Sequence, residues 1–306
     1  LTILADFITS VTATAFRGSN TEQSDAVKAT EKAFRVHLDR SFWDRYLGAR
    51  PQVDRPPVGS FAMPREAADE FRAIVHANSF LACRTTQVNI RGPRDAVETI
   101  IDVTGARRLH MKPTPFMGFA RAPIADFKKE PGEAPLRLVR NVARAFGQFL
   151  DQGFIAGTGD RQPLGIINSA AAITVPRALK HQDAVGTIRD AFSLYKEPDN
   201  SCLWLASSSI KFWDLLLLFG DIPYAFTDLM PTLLAANCLM LVDPREYLSA
   251  VRWDLVDVAA AVSNGIDVSL MFSFYATGAP RWAAPKVHEN GELYVSPFVG
   301  LAAEAM

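Results

Sequence analysis

The sequence predicts an α+β fold. Helical and strand-like patterns alternate without the regular repeat of a doubly wound sheet. One long amphipathic helix, 136–153, stands apart, and strand-like runs gather towards the end of the chain. The 306 residues are 49% hydrophobic, enough for one large core or two modest domains.

The elements follow in order. LTILADFITSVTATAF reads as a loose N-terminal arm; it lacks the basic start and small-residue cleavage pattern of a secretion signal. Over 21–47, Val27, Thr30, Phe34, Leu38 and Phe42 recur three or four apart, which predicts a helix. GARPQVDRPPVGS is dense in helix breakers and reads as an extended connector. A second helix is expected over 64–79, with Pro64 suited to its first turn and Phe71, Ile74 and Val75 on its apolar side. TTQVNIR alternates and then meets Gly92 and Pro93, as a strand meets a turn. From 84 to 117 the chain reads as one hairpin-like excursion, charged and without an aromatic residue before Phe116, so it has little to form a core of its own.

Within 136–153, Leu138, Val142, Ala145 and Phe149 form one apolar row and Val139, Ala143, Phe146 and Leu150 the next. Arg137, Arg140, Asn141, Arg144, Gln148 and Asp151 share the other side. At 1.5 Å per residue this helix spans about 27 Å. Gly153 is placed to cap it, and the glycine-rich GFIAGTGDRQPLGIIN carries the chain onward. Beyond it come a helix from 183, a strand at CLWLA, serines 207–209 able to cap the short helix IKFWDLLLLF, and two tail strands, DVSLMFSFYATG and ELYVSPFVGLAAEAM, separated by the turn HENG.

The chemistry that this inventory excludes is wider than what it supports. A net charge of -1 gives no global basic field for nucleic acid. No run approaches the roughly 20 apolar residues that span a bilayer, so no membrane contact is expected. A phosphate loop needs amides converging at a helix start and a Lys-Ser or Lys-Thr pair; here the glycines follow a helix, at its carbonyl-rich end. Ser208 sits between a strand and a helix, but LASSSIK lacks the glycines of a nucleophile elbow, and a helix cap is the plainer role. His37, His76, His110, His181 and His288 form no HxxxH or HExxH, and Asp69 with Glu70 belongs to a polar helix face. Cys83, Cys202 and Cys238 lie far apart and read as buried thiols of a reducing compartment. No catalytic residue, cofactor or metal is expected. The basic cluster Arg91, Arg94, Arg107, Arg108 and Lys112 has no interleaved aromatics and suits salt bridges between proteins. The row Arg137, Arg140 and Arg144 is either a solvated face or one turned to a polyanion.

An arm, a long excursion, one long amphipathic helix and then GTGDRQPLGII together resemble the major capsid proteins of tailed bacteriophages, the Hong Kong 97 type. That family's spine helix ends in a turn of the form G-x-G-x-x-Q-P-x-G, matched by Gly157, Gly159, Gln162, Pro163 and Gly165 and followed by Ile166; Gly153 precedes it. AADEFRAIVHANSFLACRTTQVNI looks like the helix leading into the family's E-loop, and CLWLASSSIKFWDLLLLFG like part of its A-domain. GIDVSLMFSFYATGAPRW with ENGELYVSPFVGLAAE looks like the closing strands of its P-domain. The helix at 21–47 has no counterpart.

The resemblance implies an N-terminal arm and helix over 1–60, P-domain entry over 61–83, an E-loop over 84–117, P-domain with its spine helix over 118–180, A-domain over 181–262 and return strands over 263–306. It implies a non-enzymatic protein whose main partner is itself, in hexamers and pentamers closing an icosahedral shell around double-stranded DNA held by weak contacts. Scaffold, maturation protease, portal and decoration proteins are further partners the family uses. Assembly is expected in the host cytoplasm and residence in the virion. Leu1 fits either a maturation cut or a numbering choice. An encapsulin, a cellular shell around cargo, shares the resemblance, and an α+β hydrolase using Ser208 is the enzyme alternative.

Overall fold

The computed structural model describes residues 2–17, 60–89, 96–102, 105–130, 133–160, 162–175, 184–195, 201–208, 222–231, 238–253, 256–263, 267–287 and 294–301. The helix expected over 21–47, the turn at Gly92 and Pro93, the short helix over 210–219 and the HENG turn lie outside the described residues. In chain order the elements are α1 (Thr2–Arg17), β1 (Ser60–Ala62), α2 (Arg65–Ala77), β2 (Thr86–Gln87), β3 (Ala96–Asp102), β4 (Gly105–Met111), β5 (Thr114–Pro123), α3 (Ile124–Lys129) and α4 (Glu133–Ala156). Then follow β6 (Ile173–Thr174), α5 (Ala184–Leu194), β7 (Leu203–Ser207), β8 (Tyr224–Thr227), β9 (Leu239–Val242) and β10 (Tyr247–Val251). The last are β11 (Asp257–Ser263), β12 (Asp267–Pro280), β13 (Lys286–Val287), β14 (Tyr294–Val295) and β15 (Phe298–Leu301).

Two compact units divide the chain. The first comprises Leu1–Ser79, Thr114–Gln148 and Val251–Ala276; the second comprises Phe80–Pro113, Phe149–Ala250 and Thr277–Met306.

In the first unit, β1, β11, β12 and β5 form an antiparallel sheet in that order. Along β12, Val268, Leu270, Phe272 and Phe274 are buried while the residues between them are half-buried, the alternation of a strand with one covered face. α4 lays Val139, Val142, Ala143 and Phe146 on that covered face. The Phe146 ring centroid lies 4.5 Å from that of Phe274 and meets Phe71 and Phe272 edge-on. Phe71 of α2 stacks on Phe272, and Trp253 and Phe116 stack on Phe274. Each such ring, fully buried, contributes about 1.5–3 kcal/mol. His76 meets Trp253 edge-on at 5.7 Å, and desolvation, with nearby Arg72, pulls its pKa below the ordinary histidine value.

The N-terminal stretch corrects an expectation. Residues 2–17 are not a loose arm but α1, with Leu4, Phe7, Ile8 and Val11 buried and the helix packed against α2 and β11. The spacing 4, 7, 8, 11 is a helical apolar row that composition alone does not announce.

The second unit holds a five-stranded mixed sheet, β6-β15-β9-β7-β8, whose inner strands β7, β9 and β15 are buried throughout. Trp204, Leu239, Leu241, Val299 and Leu301 meet Ile188, Ala191 and Tyr195 of the α5 region in one cluster. β2 adds a short parallel pair to β10, and β3 with β4 makes a separate two-stranded hairpin.

The excursion differs from its reading in two ways. Residues 114–117 belong to β5, inside the first unit's sheet, and Phe116 is buried there. At its base, Met111 is buried with Leu248, Ala250 and Ala279, and Val88 and Leu109 pack on them, so this part does join a core. The long helix runs three residues further at each end than the periodicity predicts, which puts Gly153 inside it and not at its cap.

Candidate assembly surfaces and the helix-end turn

The last four carbonyls of an α-helix have no partner within it. At the end of α4 all four find donors, one from Gly157 directly after the helix and three from the returning chain. The Gly153 carbonyl accepts from the Gly157 amide at 3.1 Å, Phe154 from the Ile166 amide at 2.9 Å and Ile155 from the Ile167 amide at 3.0 Å. The Ala156 carbonyl accepts from the side-chain amide of Asn168 at 2.9 Å. Gly159 and Gly165 donate to the carbonyls of Pro163 and Gly157. These amides are therefore directed at carbonyls rather than gathered around an empty space, which is the opposite of a phosphate cradle.

The turn's side chains serve the same closure. Pro163 is buried with its ring against Gly153, and Gln162 is exposed and donates to the Thr158 hydroxyl at 2.6 Å. Gly159 has φ of +83°, a left-handed conformation that favours glycine. Gly157 is required for a different reason: a Cβ there would lie 2.1 Å from the Pro163 carbonyl oxygen and 2.4 Å from that of Gly153. The Leu164 carbonyl accepts from the buried Tyr247 hydroxyl at 3.0 Å, and burial pushes that phenol well above its ordinary pKa. Asn168 carries out part of the capping and has no mark in the sequence reading, although it closes GFIAGTGDRQPLGIIN; an Asn shortly after a glycine-rich turn is the available signal.

Asp151 is a further correction. Expected on the polar side of α4, it is buried, and its carboxylate accepts from the backbone amides of Phe80 and Leu81, both at 3.1 Å. Two charge-assisted bonds to amides that would otherwise be unpaired explain the burial. The rest of that side, Arg137, Arg140, Asn141, Arg144 and Gln148, is exposed. Arg137 is paired with Asp126 and Glu130 at 2.9 and 3.2 Å.

Opposite the face covered by α4, β5 of the first unit's sheet carries a strip of exposed apolar side chains. Met117 and Phe119 are 63% and 72% exposed, in line with Pro115 and Arg121 on β5. Strand register sets Tyr275 beside Pro115, Ser273 beside Met117 and Met271 beside Phe119. No sequence motif marks this surface, but TPFMGFARAP is apolar at both odd and even positions, so a strand there carries apolar side chains on both faces.

Of the basic cluster, Arg91 and Arg94 lie outside the described residues. Arg107 and Arg108 stand on β4, opposite Ile100 and Thr99, with Arg108 exposed, and Lys112 is exposed just beyond. Ser208 is exposed at the end of β7, where its hydroxyl donates to Asp228 and its amide to the Thr227 carbonyl. Cys202 and Cys238 are buried, but Cys83 is exposed on the turn after α2, against expectation. Among the described residues no group of three His, Cys, Asp or Glu could hold a metal ion, and no helix is long and apolar enough to cross a membrane.

No family model and no curated protein matches the sequence. Solved structures do. The capsid of an empty GTA particle is similar at a TM-score of 0.54 and 14% identity, over 88% of this chain and 100% of that one. A virus-like particle from Pyrococcus furiosus reaches 0.53 at 10% identity, over 76% and 96%. Mycobacterium phage Bobi reaches 0.51 at 14% identity, over 89% and 100%. Such identities carry the fold and nothing finer, and on that evidence the chain has the Hong Kong 97 type of capsid fold.

Proposed function

We propose that this chain is the major capsid protein of a tailed phage or phage-like element, assembling through copies of itself into an icosahedral shell of hexamers and pentamers around double-stranded DNA. Fold alone does not give function. The observation that carries the reading is the apolar strip on the first unit's sheet, where Met117 and Phe119 are mostly exposed in a chain whose fold is that of capsid shells. Large side chains aligned on one face of a sheet mark an interaction site, and a shell offers identical neighbours to cover it. In this reading the β3–β4 hairpin, with Arg107, Arg108 and Lys112, reaches adjacent subunits, as do Arg91 and Arg94. Gly153, Gly157, Gly159, Gln162, Pro163 and Gly165 have a structural role, and no step calls for a catalytic group. Scaffold, protease, portal and decoration proteins belong to the same proposal, as does residence in the virion.

The test is assembly. Purified protein should sediment as large particles, visible as closed shells by negative-stain microscopy. Met117→Lys with Phe119→Lys, both on the surface, should keep the circular dichroism spectrum and shift the protein to small species. A chain monomeric at every concentration, or a double variant that closes the same shells, would overturn the reading. Nuclease-resistant DNA inside the particles, against an enclosed enzyme, separates a virion shell from a cargo shell.

A further inference from the structure

The arginine row of α4 is the strongest charged feature that the turn and the apolar face leave unexplained. Its sequence pattern includes Asp151, which would offset the charge, but that carboxylate is buried on the amides of Phe80 and Leu81. Arg137 is held by Asp126 and Glu130. Arg140 and Arg144 remain: both are exposed, neither has an ion pair among the described residues, and the buried rows Leu138, Val142 and Val139, Ala143, Phe146 fix them on the side away from the sheet. Exposed Glu133 is the acid on this face, two turns before Arg140. Like charges four residues apart on a helix repel, so the row is stabilised by whatever anion meets it.

We propose that Arg140 and Arg144 form a contact for the phosphate backbone of double-stranded DNA, with Asn141 and Gln148 as neutral hydrogen-bonding flanks. The guanidinium fork donates to phosphate oxygens two at a time. The two side chains rise about 6 Å apart along the helix, so each can meet a different phosphate of a duplex whose charges recur every ~3.4 Å of axis on each strand. Two contacts per chain bind weakly and without sequence preference, but many copies presenting the same row multiply the effect. The near-neutral chain confines this attraction to one face. The inference deepens the proposed shell function and rests on it for its biological setting.

The experiment measures binding of a random-sequence DNA duplex to unassembled full-length protein by fluorescence anisotropy across salt concentration, with particle formation followed in parallel by sedimentation. Arg140→Gln with Arg144→Gln should weaken binding and flatten the slope of log affinity against log salt by about 2, while Arg140→Lys with Arg144→Lys should restore most of the slope. Particle formation should be the same in all three proteins. An unchanged slope in the glutamine variant, or loss of binding to poly-glutamate but not to DNA, would overturn the DNA assignment. Failure of the wild-type protein to form particles, with the slope difference intact, would instead strike the shell reading alone.

Discussion

Gly157 and Gly159 occupy one turn for different physical reasons, and substitution should separate them. At Gly159 only the backbone angle objects, since the nearest atom to an added Cβ is the Leu164 Cδ1 at 3.4 Å. Gly159→Ala should therefore cost roughly 1–2 kcal/mol, and Gly159→Asn less, because Asn tolerates the left-handed region. At Gly157 the obstacle is backbone oxygen at 2.1 Å, which a rotamer change cannot relieve. Gly157→Ala should cost ~3 kcal/mol with no rescue by Asn. Urea midpoints of the variants provide the check; equal losses at the two positions would refute the distinction. Sequence reading located these glycines but could not say which mechanism each serves, because φ and close approach are both invisible in composition. It misplaced Asp151 for a related reason: helical periodicity assigns a face, whereas the amides of Phe80 and Leu81 that draw the carboxylate inward come from 70 residues away.

Among elements, α4 was the most legible because its two apolar rows persist over many turns. Phe149 and Ala145, read as part of one row, are nevertheless exposed, so the row is wider than the core it serves. β9, β10 and β11 were not legible at all. β9 is buried throughout, so CLMLV shows no alternation, and a short apolar run cannot be told from a helix fragment. The excursion was legible as a hairpin, but its base was not, since Met111 and Leu109 find their partners on β10 and β12. The buried base decides which deletion is informative. Removing all of 84–117 would expose the Leu248 and Ala250 cluster and cut away the start of β5. Replacing 100–107 with Asn-Gly preserves the Thr99 and Arg108 pair and supplies the two-residue turn that hairpins favour. The shortened protein should fold with an unchanged melting temperature within a few degrees, yet sediment as small species. Shells closing as before would show that the hairpin tip makes no essential contact between subunits.

For the whole molecule, two candidate forces could drive association, and they respond oppositely to conditions. The chain's net charge of -1 provides little mutual repulsion for salt to screen, so in the proposed shell charge would enter assembly through local pairs such as those available to Arg108 and Lys112. Those pairs weaken as salt rises. The Met117 and Phe119 face acts through apolar burial, which weakens on cooling and survives salt. Its exposed side chains, with Met271 and Tyr275 beside them, hold the larger share of removable area, because a surface ion pair contributes only ~0–1 kcal/mol while each large apolar side chain contributes about 1.5–3 kcal/mol on full burial. The concentration at which particles form should therefore rise on cooling and change little between low and moderate salt, measured by light scattering at matched pH. Particles that dissolve with added salt and tighten in the cold would transfer the assembly energy from the sheet face to the basic hairpin.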